Sequence, residues 1–166
     1  QAAKLAEIMR DRGAVPLLCP CIDIAPPPDC NPLDAALRNL DSYEWVLFTS
    51  ANTVLAIRRR LDALQVVPDW SRIKAGAVGP ATAEAAEIFL GLDIDTIPDE
   101  YTGDALGHRL GVQEDARVFV PQSEIATPDL VAALEAAGAH VNAVTAYKNI
   151  VGYGGENLPD LLARDR

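Results

Sequence analysis

The chain has 166 residues, 49 % of them hydrophobic, and a net charge of −10 with an isoelectric point near 4.5. That apolar share supports a real core and excludes a disordered chain, while the negative field argues against a nucleic-acid phosphate backbone as partner. No stretch approaches the roughly 20 apolar residues of a membrane span, so neither membrane nor nucleic acid is an expected partner; a small anion would have to be held by backbone donors at helix ends.

In chain order, Gln1 to Arg12 reads as an amphipathic helix carrying Lys4, Glu7, Arg10 and Asp11, ended by Gly13. It lacks the apolar centre of a secretory signal. Ala14 to Pro28 is extended, with prolines at 16, 20, 26, 27 and 28, which suits an edge strand or an interdomain ribbon. The three cysteines, Cys19, Cys21 and Cys30, are an odd count and suggest reduced thiols in the cytoplasm. Cys19 and Cys21 flank Pro20 and would face one way along a strand, but no second ligand pair appears, and His108 and His140 stand apart. No metal site is expected, since structural zinc needs four grouped ligands.

Asn31-Pro32 looks like a helix cap followed by proline at the first helical position, with Leu33 to Leu40 as the helix. Glu44 to Thr49 is a buried strand, Ser50-Ala51-Asn52 its turn, and Thr53 to Leu64 the next helix. Arg58, Arg59 and Arg60 lie toward the end of that helix, suit its dipole, and read as a solvated face. Ile73 to Val78 is a short apolar strand. The chain turns on Gly79-Pro80, and Ala81 to Leu90 is a helix stopped by Gly91. Thr82 falls in its first turn, where a hydroxyl could cap free N–H groups. Asp93 to Ile97 reads as a strand, and Tyr101-Thr102-Gly103 opens a helix to Leu110. Arg117 to Val120 is a strand running into Pro121-Gln122-Ser123-Glu124. Thr127-Pro128 would cap a helix from Asp129 to Ala137 that stops at Gly138, and Val141 to Tyr147 is extended. Gly152 to Gly155 reads as loop, with a short helix opening at Asn157.

Strands alternate with helices between 44 and 147, which predicts an α/β fold: a doubly wound, mostly parallel sheet with helices on both faces. In such sheets the site lies beyond the carboxyl ends of the strands. The turns at 49–52, 79–82, 98–103 and 121–127 should therefore share one edge, and all are small, hydroxyl-bearing or amide-bearing. An internal echo adds a domain plan. Leu5 to Gly13-Ala14 and Leu130 to Gly138-Ala139 are equally spaced helices, each followed by an extended run, Val15 to Ile24 and Val141 to Ile150. Two such runs bracketing everything between them suggest a chain that leaves one domain, builds a second, and returns alongside its outgoing path. The expected division is 1–20 (part of a first domain), 21–145 (a near-complete second domain) and 146–166 (return linker and more of the first).

The ordered set Phe48-Thr49-Ser50-Ala51-Asn52-Thr53-Val54, Ala77-Val78-Gly79-Pro80-Ala81-Thr82-Ala83, Tyr101-Thr102-Gly103 and Val144-Thr145-Ala146-Tyr147 resembles the uroporphyrinogen-III synthase family from about Leu5 to Ile150. No single motif is diagnostic; the order and spacing carry the likeness. The resemblance implies two α/β domains joined by a two-stranded ladder. It also implies a lyase of tetrapyrrole and heme biosynthesis that closes linear hydroxymethylbilane into uroporphyrinogen III, with loss of water, inversion of the last pyrrole ring and no cofactor. It places an acid at Tyr147, and substrate contacts at Thr49, Ser50 and Thr82. Around these, the turn residues Asn52, Gly79, Ala81, Tyr101, Thr102, Gly103 and Ser123 are expected to bind the polycarboxylate through main-chain donors. A phenol ionises only near pH ~10, so Tyr147 would act by position more than by acidity. A monomer in the cytoplasm is expected. The family pattern also holds a first strand ahead of Gln1 and further first-domain turns after Arg166, so the piece alone is expected to be inactive. The alternatives are a non-catalytic ligand-binding or regulatory module of the same fold, and a receiver-like or flavodoxin-like domain. The last two lack the acidic cluster or the phosphate loop they would need.

Overall fold

The computed structural model describes residues 2–19 and 21–152, which leaves the helix expected from Asn157 outside the described residues. By internal contacts the chain divides into two units, Ile24–Lys148 and the pair of segments Gln1–Asp23 with Asn149–Arg166.

The elements are α1 (Ala2–Asp11), β1 (Ile22–Ala25), α2 (Asn31–Arg38), β2 (Trp45–Phe48), α3 (Ala51–Leu64), β3 (Lys74–Ala77), α4 (Pro80–Leu90), α5 (Gly103–Leu110), β4 (Arg117–Ser123), α6 (Asp129–Ala136) and β5 (His140–Val151). The sheet order is β1-β5-β4-β2-β3. The pairs β2–β3, β2–β4 and β4–β5 are all parallel. At the first segment's end of the ladder, the Gly152 N–H donates to the Cys21 carbonyl at 3.0 Å.

Strand alternation sorts the core into two layers. Val46 and Phe48 of β2, Ala75 of β3, Phe119 of β4 and Val144 and Ala146 of β5 face α2, α3 and α4, where Leu33, Leu37, Val54, Ile57, Leu61 and Ala86 meet them. Leu47, Val118 and Val120 point the other way, onto Leu106 and Leu110 of α5 and Leu130 and Leu134 of α6. A period of two in the strands thus becomes a layer of helices on each face. On the second face α5 and α6 approach closely, because Gly107 has no side chain: a Cβ there would lie 2.8 Å from the Ala133 Cβ.

Several local expectations change. Asp93 to Ile97 is not a strand; it makes only an isolated parallel bridge, Gly76 with Thr96. The Asp95 carboxylate takes the Ala75 N–H at 2.7 Å, a ladder position, and Pro98 has no N–H to continue with. The helix at 31 is not capped by Asn31. Its cap position is Cys30, without a side-chain bond, and Asn31 is already helical, its N–H held at 2.9 Å by the Asp29 carboxylate. Thr127 likewise does not cap α6, which starts from Pro128 with no side-chain cap. Strand β4 runs three residues further than expected, through Pro121 to Ser123, with an irregularity at Gln122/Ser123. Arg58 pairs with Asp62 on its own helix, and Arg60 ties α3 to Asp34 of α2, so the arginine run is not simply a solvated face.

Candidate functional site

Parallel pairing brings the carboxyl ends of β2, β3, β4 and β5 to one edge, and the turns that leave them carry the residues singled out by sequence. Two groups form there.

The first centres on Ser50. After Phe48 the chain leaves the sheet through Thr49 and Ser50, both half-buried, and Ser50 caps α3, its hydroxyl accepting the Thr53 N–H at 3.2 Å. The same hydroxyl lies 3.1 Å from the Thr53 hydroxyl and 3.2 Å from the phenol oxygen of Tyr147. Tyr147 is only 7 % exposed, its ring packed in the first core layer. It is nonetheless tied to the rim: the Ser50 bond holds its hydroxyl, and its carbonyl accepts the Glu124 N–H at 3.1 Å. Ser123 is its register partner on β4, and the Ser123 hydroxyl accepts the Ile125 N–H at 3.4 Å. Asn52 sits exposed on the first turn of α3.

The second group surrounds Gly79. It occupies the cap position of α4 and offers no side chain, and Pro80 follows at the first helical position. The Thr82 and Ala83 N–H groups both turn back to the Gly79 carbonyl, at 3.0 and 3.1 Å. Thr82 is buried, 8 % exposed, and makes no capping bond, so the expected hydroxyl cap is absent. Its position, third in the helix, turns it toward the core layer rather than back over the helix end. Ala81 is exposed beside the open end. Tyr101, 63 % exposed, lies over Gly79, where a Cβ would meet its ring at 3.4 Å. Thr102 caps α5, its hydroxyl accepting the Ala105 N–H at 3.2 Å. Gly103 owes its small size to packing: a Cβ there would lie 3.1 Å from the Leu130 Cβ on α6.

The chemistry available is that of neutral donors. Ser50, Thr53 and the Tyr147 hydroxyl bond only to one another and to backbone among the described residues, with no charged partner. No group of three or more His, Cys, Asp or Glu side chains converges to hold a metal ion among the described residues. Elsewhere in the chain Arg60 holds the Asp34 carboxyl below its usual range, Ser71 does the same for Asp69, and burial, reinforced by Cys21, raises the Cys19 thiol. Sequence reasoning missed Thr53. The signal was present in the Ser-x-x-Thr spacing, which puts a second hydroxyl at the third helical position after a serine cap, where a capping box has its reciprocal partner.

A family profile described as uroporphyrinogen-III synthase HemD matches residues 3–166. The uroporphyrinogen-III synthase of Synechococcus elongatus is 32 % identical over 153 residues, covering 90 % of this chain and 57 % of that protein. The porphyrin biosynthesis protein HemD of Ruminiclostridium josui is 34 % identical over 134 residues, covering 76 % of this chain and 26 % of that protein. Among solved structures, wild-type uroporphyrinogen III synthase of Thermus thermophilus superposes with a TM-score of 0.62 at 20 % identity, covering 92 % of this chain and 59 % of that one. The Helicobacter pylori synthetase gives 0.53 at 17 % identity, covering 86 % and 59 %. At those identities the structural likeness shows the fold. The chain spans less than two thirds of each of these relatives.

Proposed function

The chain belongs to the uroporphyrinogen-III synthase HemD family, and from that premise we infer that the protein carrying it cyclises hydroxymethylbilane to uroporphyrinogen III. The reaction loses water and inverts the last pyrrole ring. In this reading Tyr147 protonates the departing hydroxyl of the substrate, which leaves an azafulvene cation for the ring closure. The polycarboxylate lies along the rim, over Thr49, Ser50, Asn52, Gly79, Ala81, Thr82, Tyr101, Thr102, Gly103 and Ser123. With a net charge of −10 the general field opposes a polyanion, so the attraction comes from local dipolar donors at helix ends. The rest of the barrier falls through orientation of a flexible tetrapyrrole. No cofactor enters the scheme, and the working form is a cytoplasmic monomer that engages neither nucleic acid nor membrane.

The observation that carries this reading is the 3.2 Å contact between the Tyr147 phenol and Ser50 at the head of α3. A ring packed in the core holds the phenol oxygen in place at this edge, which suits an acid that works by placement. The test is to incubate the full-length protein with hydroxymethylbilane freshly made by its upstream enzyme, oxidise, and separate the isomers. Isomer III above the spontaneous background is expected. Isomer I alone would reject catalysis and leave a ligand-binding module of the same fold.

A further inference from the structure

The Ser50 hydroxyl has three neighbours, and their number limits which way its hydrogen points. A hydroxyl offers one hydrogen and two lone pairs. Here the Thr53 N–H donates to the Ser50 oxygen at 3.2 Å, the Thr53 hydroxyl stands 3.1 Å away, and the Tyr147 phenol 3.2 Å away. Thr53 is 0 % exposed, and among the described residues the Ser50 oxygen is the sole partner of its hydroxyl. Of the two hydroxyls that could donate to Ser50, that of Thr53 is the more deeply buried and has the greater need of an acceptor, so the Thr53 hydroxyl donates to Ser50. Its two donors then fill both Ser50 lone pairs, and the one Ser50 hydrogen is left for the Tyr147 oxygen. The phenol therefore accepts, and its own hydrogen has no acceptor among the described residues. The opposite direction would strand the Thr53 hydrogen in the core and tie up the Tyr147 proton.

We propose that Thr53 is a positioning residue for Tyr147: its buried hydroxyl, acting through Ser50, sets the chain of hydroxyls so that the phenol proton stays free for the substrate. The proposal rests on the reading of Tyr147 as the acid and deepens it. When the substrate's C–O bond breaks, its electron pair stays on the departing oxygen. The Tyr147 proton joins that oxygen and water leaves. The phenolate left behind keeps the Ser50 hydrogen bond and sits near the positive end of α3. The proton lost as the closed ring regains its aromatic form returns to it, so the phenol is restored.

The test uses the full-length protein with hydroxymethylbilane as substrate. Thr53→Val keeps the shape and removes the hydroxyl; Thr53→Ser keeps the hydroxyl. With Thr53→Val, kcat should fall about tenfold, a part of the 10²–10⁴ that a placed acid contributes, with KM unchanged; Thr53→Ser should recover most of the loss. In a Tyr147→Phe background, Thr53→Val should cost nothing further, because the residue acts only through the phenol. Thr53→Ala carries the same expectations if the valine variant does not fold. Equal loss in the Val and Ser variants, or an undiminished loss in the Tyr147→Phe background, would overturn the proposal while leaving Tyr147 as the acid. Full turnover in Tyr147→Phe alone would remove the acid itself.

Discussion

The helices that follow β2 and β3 start side by side at one edge of the sheet, and they finish their first turns in opposite ways. The α3 end is closed by its own side chains: Ser50 takes the Thr53 N–H, and its hydroxyl is committed to Thr53 and Tyr147. The α4 end is left without a side-chain cap, started by Gly79 and Pro80, with Tyr101 laid across the glycine. A side-chain cap takes one donor of a first turn and weakens the end's pull on an anion without abolishing it; an end without such a cap leaves that pull to a ligand. The difference separates two tasks that the same local fold could perform. In the proposed function, the α3 turn would aim a proton donor and the α4 turn would offer room and main-chain charge to a carboxylate.

Tyr147→Phe strikes the first task hardest. It removes the phenol and keeps the packed ring, so kcat for isomer III should fall by about 10² or more, the lower range for a placed acid, with KM and the melting temperature nearly unchanged. A loss in KM alone would merge the two turns into one binding surface and end the contrast. Gly107→Ala is the control that separates site from fold. Its new Cβ would lie 2.8 Å from Ala133 between α5 and α6, so unfolding free energy should drop by about 1–3 kcal/mol, the usual cost of overpacking. Denaturant melts read that loss, and turnover of the folded fraction should stay at the wild-type value.

Gly79→Asp tests the second task by closing the open turn. Gly79 has φ −163°, an extended backbone that any residue adopts, and 3.4 Å to the Tyr101 ring leaves a side chain ordinary contact. Aspartate would cap α4 and add a few tenths of a kcal/mol to stability relative to glycine. The same carboxylate would repel the polyanionic substrate, so KM should rise several-fold with kcat held. The sharpened contrast is a variant that melts later and binds worse; improved or unchanged KM would mean that α4 does not face substrate.

The sequence makes the scaffold legible because layer and period are properties of runs. Val46, Leu47 and Phe48 announce a strand buried on both faces, and the helices between strands force the parallel order that gathers the turns. What escapes is decided by single side chains. Asp93 to Ile97 has strand-like alternation, but Asp95 turns its carboxylate onto the Ala75 N–H. Thr82 has the composition of a cap and the placement of a core residue. At the candidate site Ser50 and Tyr147 are visible as types and Thr53 at the local Ser-x-x-Thr spacing, whereas the bond between Ser50 and Tyr147 depends on β2 and β5 lying one strand apart, with β4 between them, which no local pattern states.

The smallest expected effect lies away from both turns and fixes where the pH dependence belongs. Arg60 on α3 grips Asp34 on α2, and this contact, more than any other cause, holds the Asp34 carboxyl below its usual range. A carboxyl whose folded value is depressed contributes stability above the unfolded value, near pH ~3.9, and loses it as pH falls through the folded value. Asp34→Asn should therefore be slightly less stable than wild type at neutral pH, and the gap should close as the medium is acidified below pH ~4. Thermal melts across that range measure it. Because the pair joins two helices of one core layer and touches neither Ser50 nor Gly79, kcat and KM at neutral pH should not change. If they do, the α2–α3 contact sets the position of the Ser50 turn, and the proton-donating end of the rim is less self-contained than its hydrogen bonds imply.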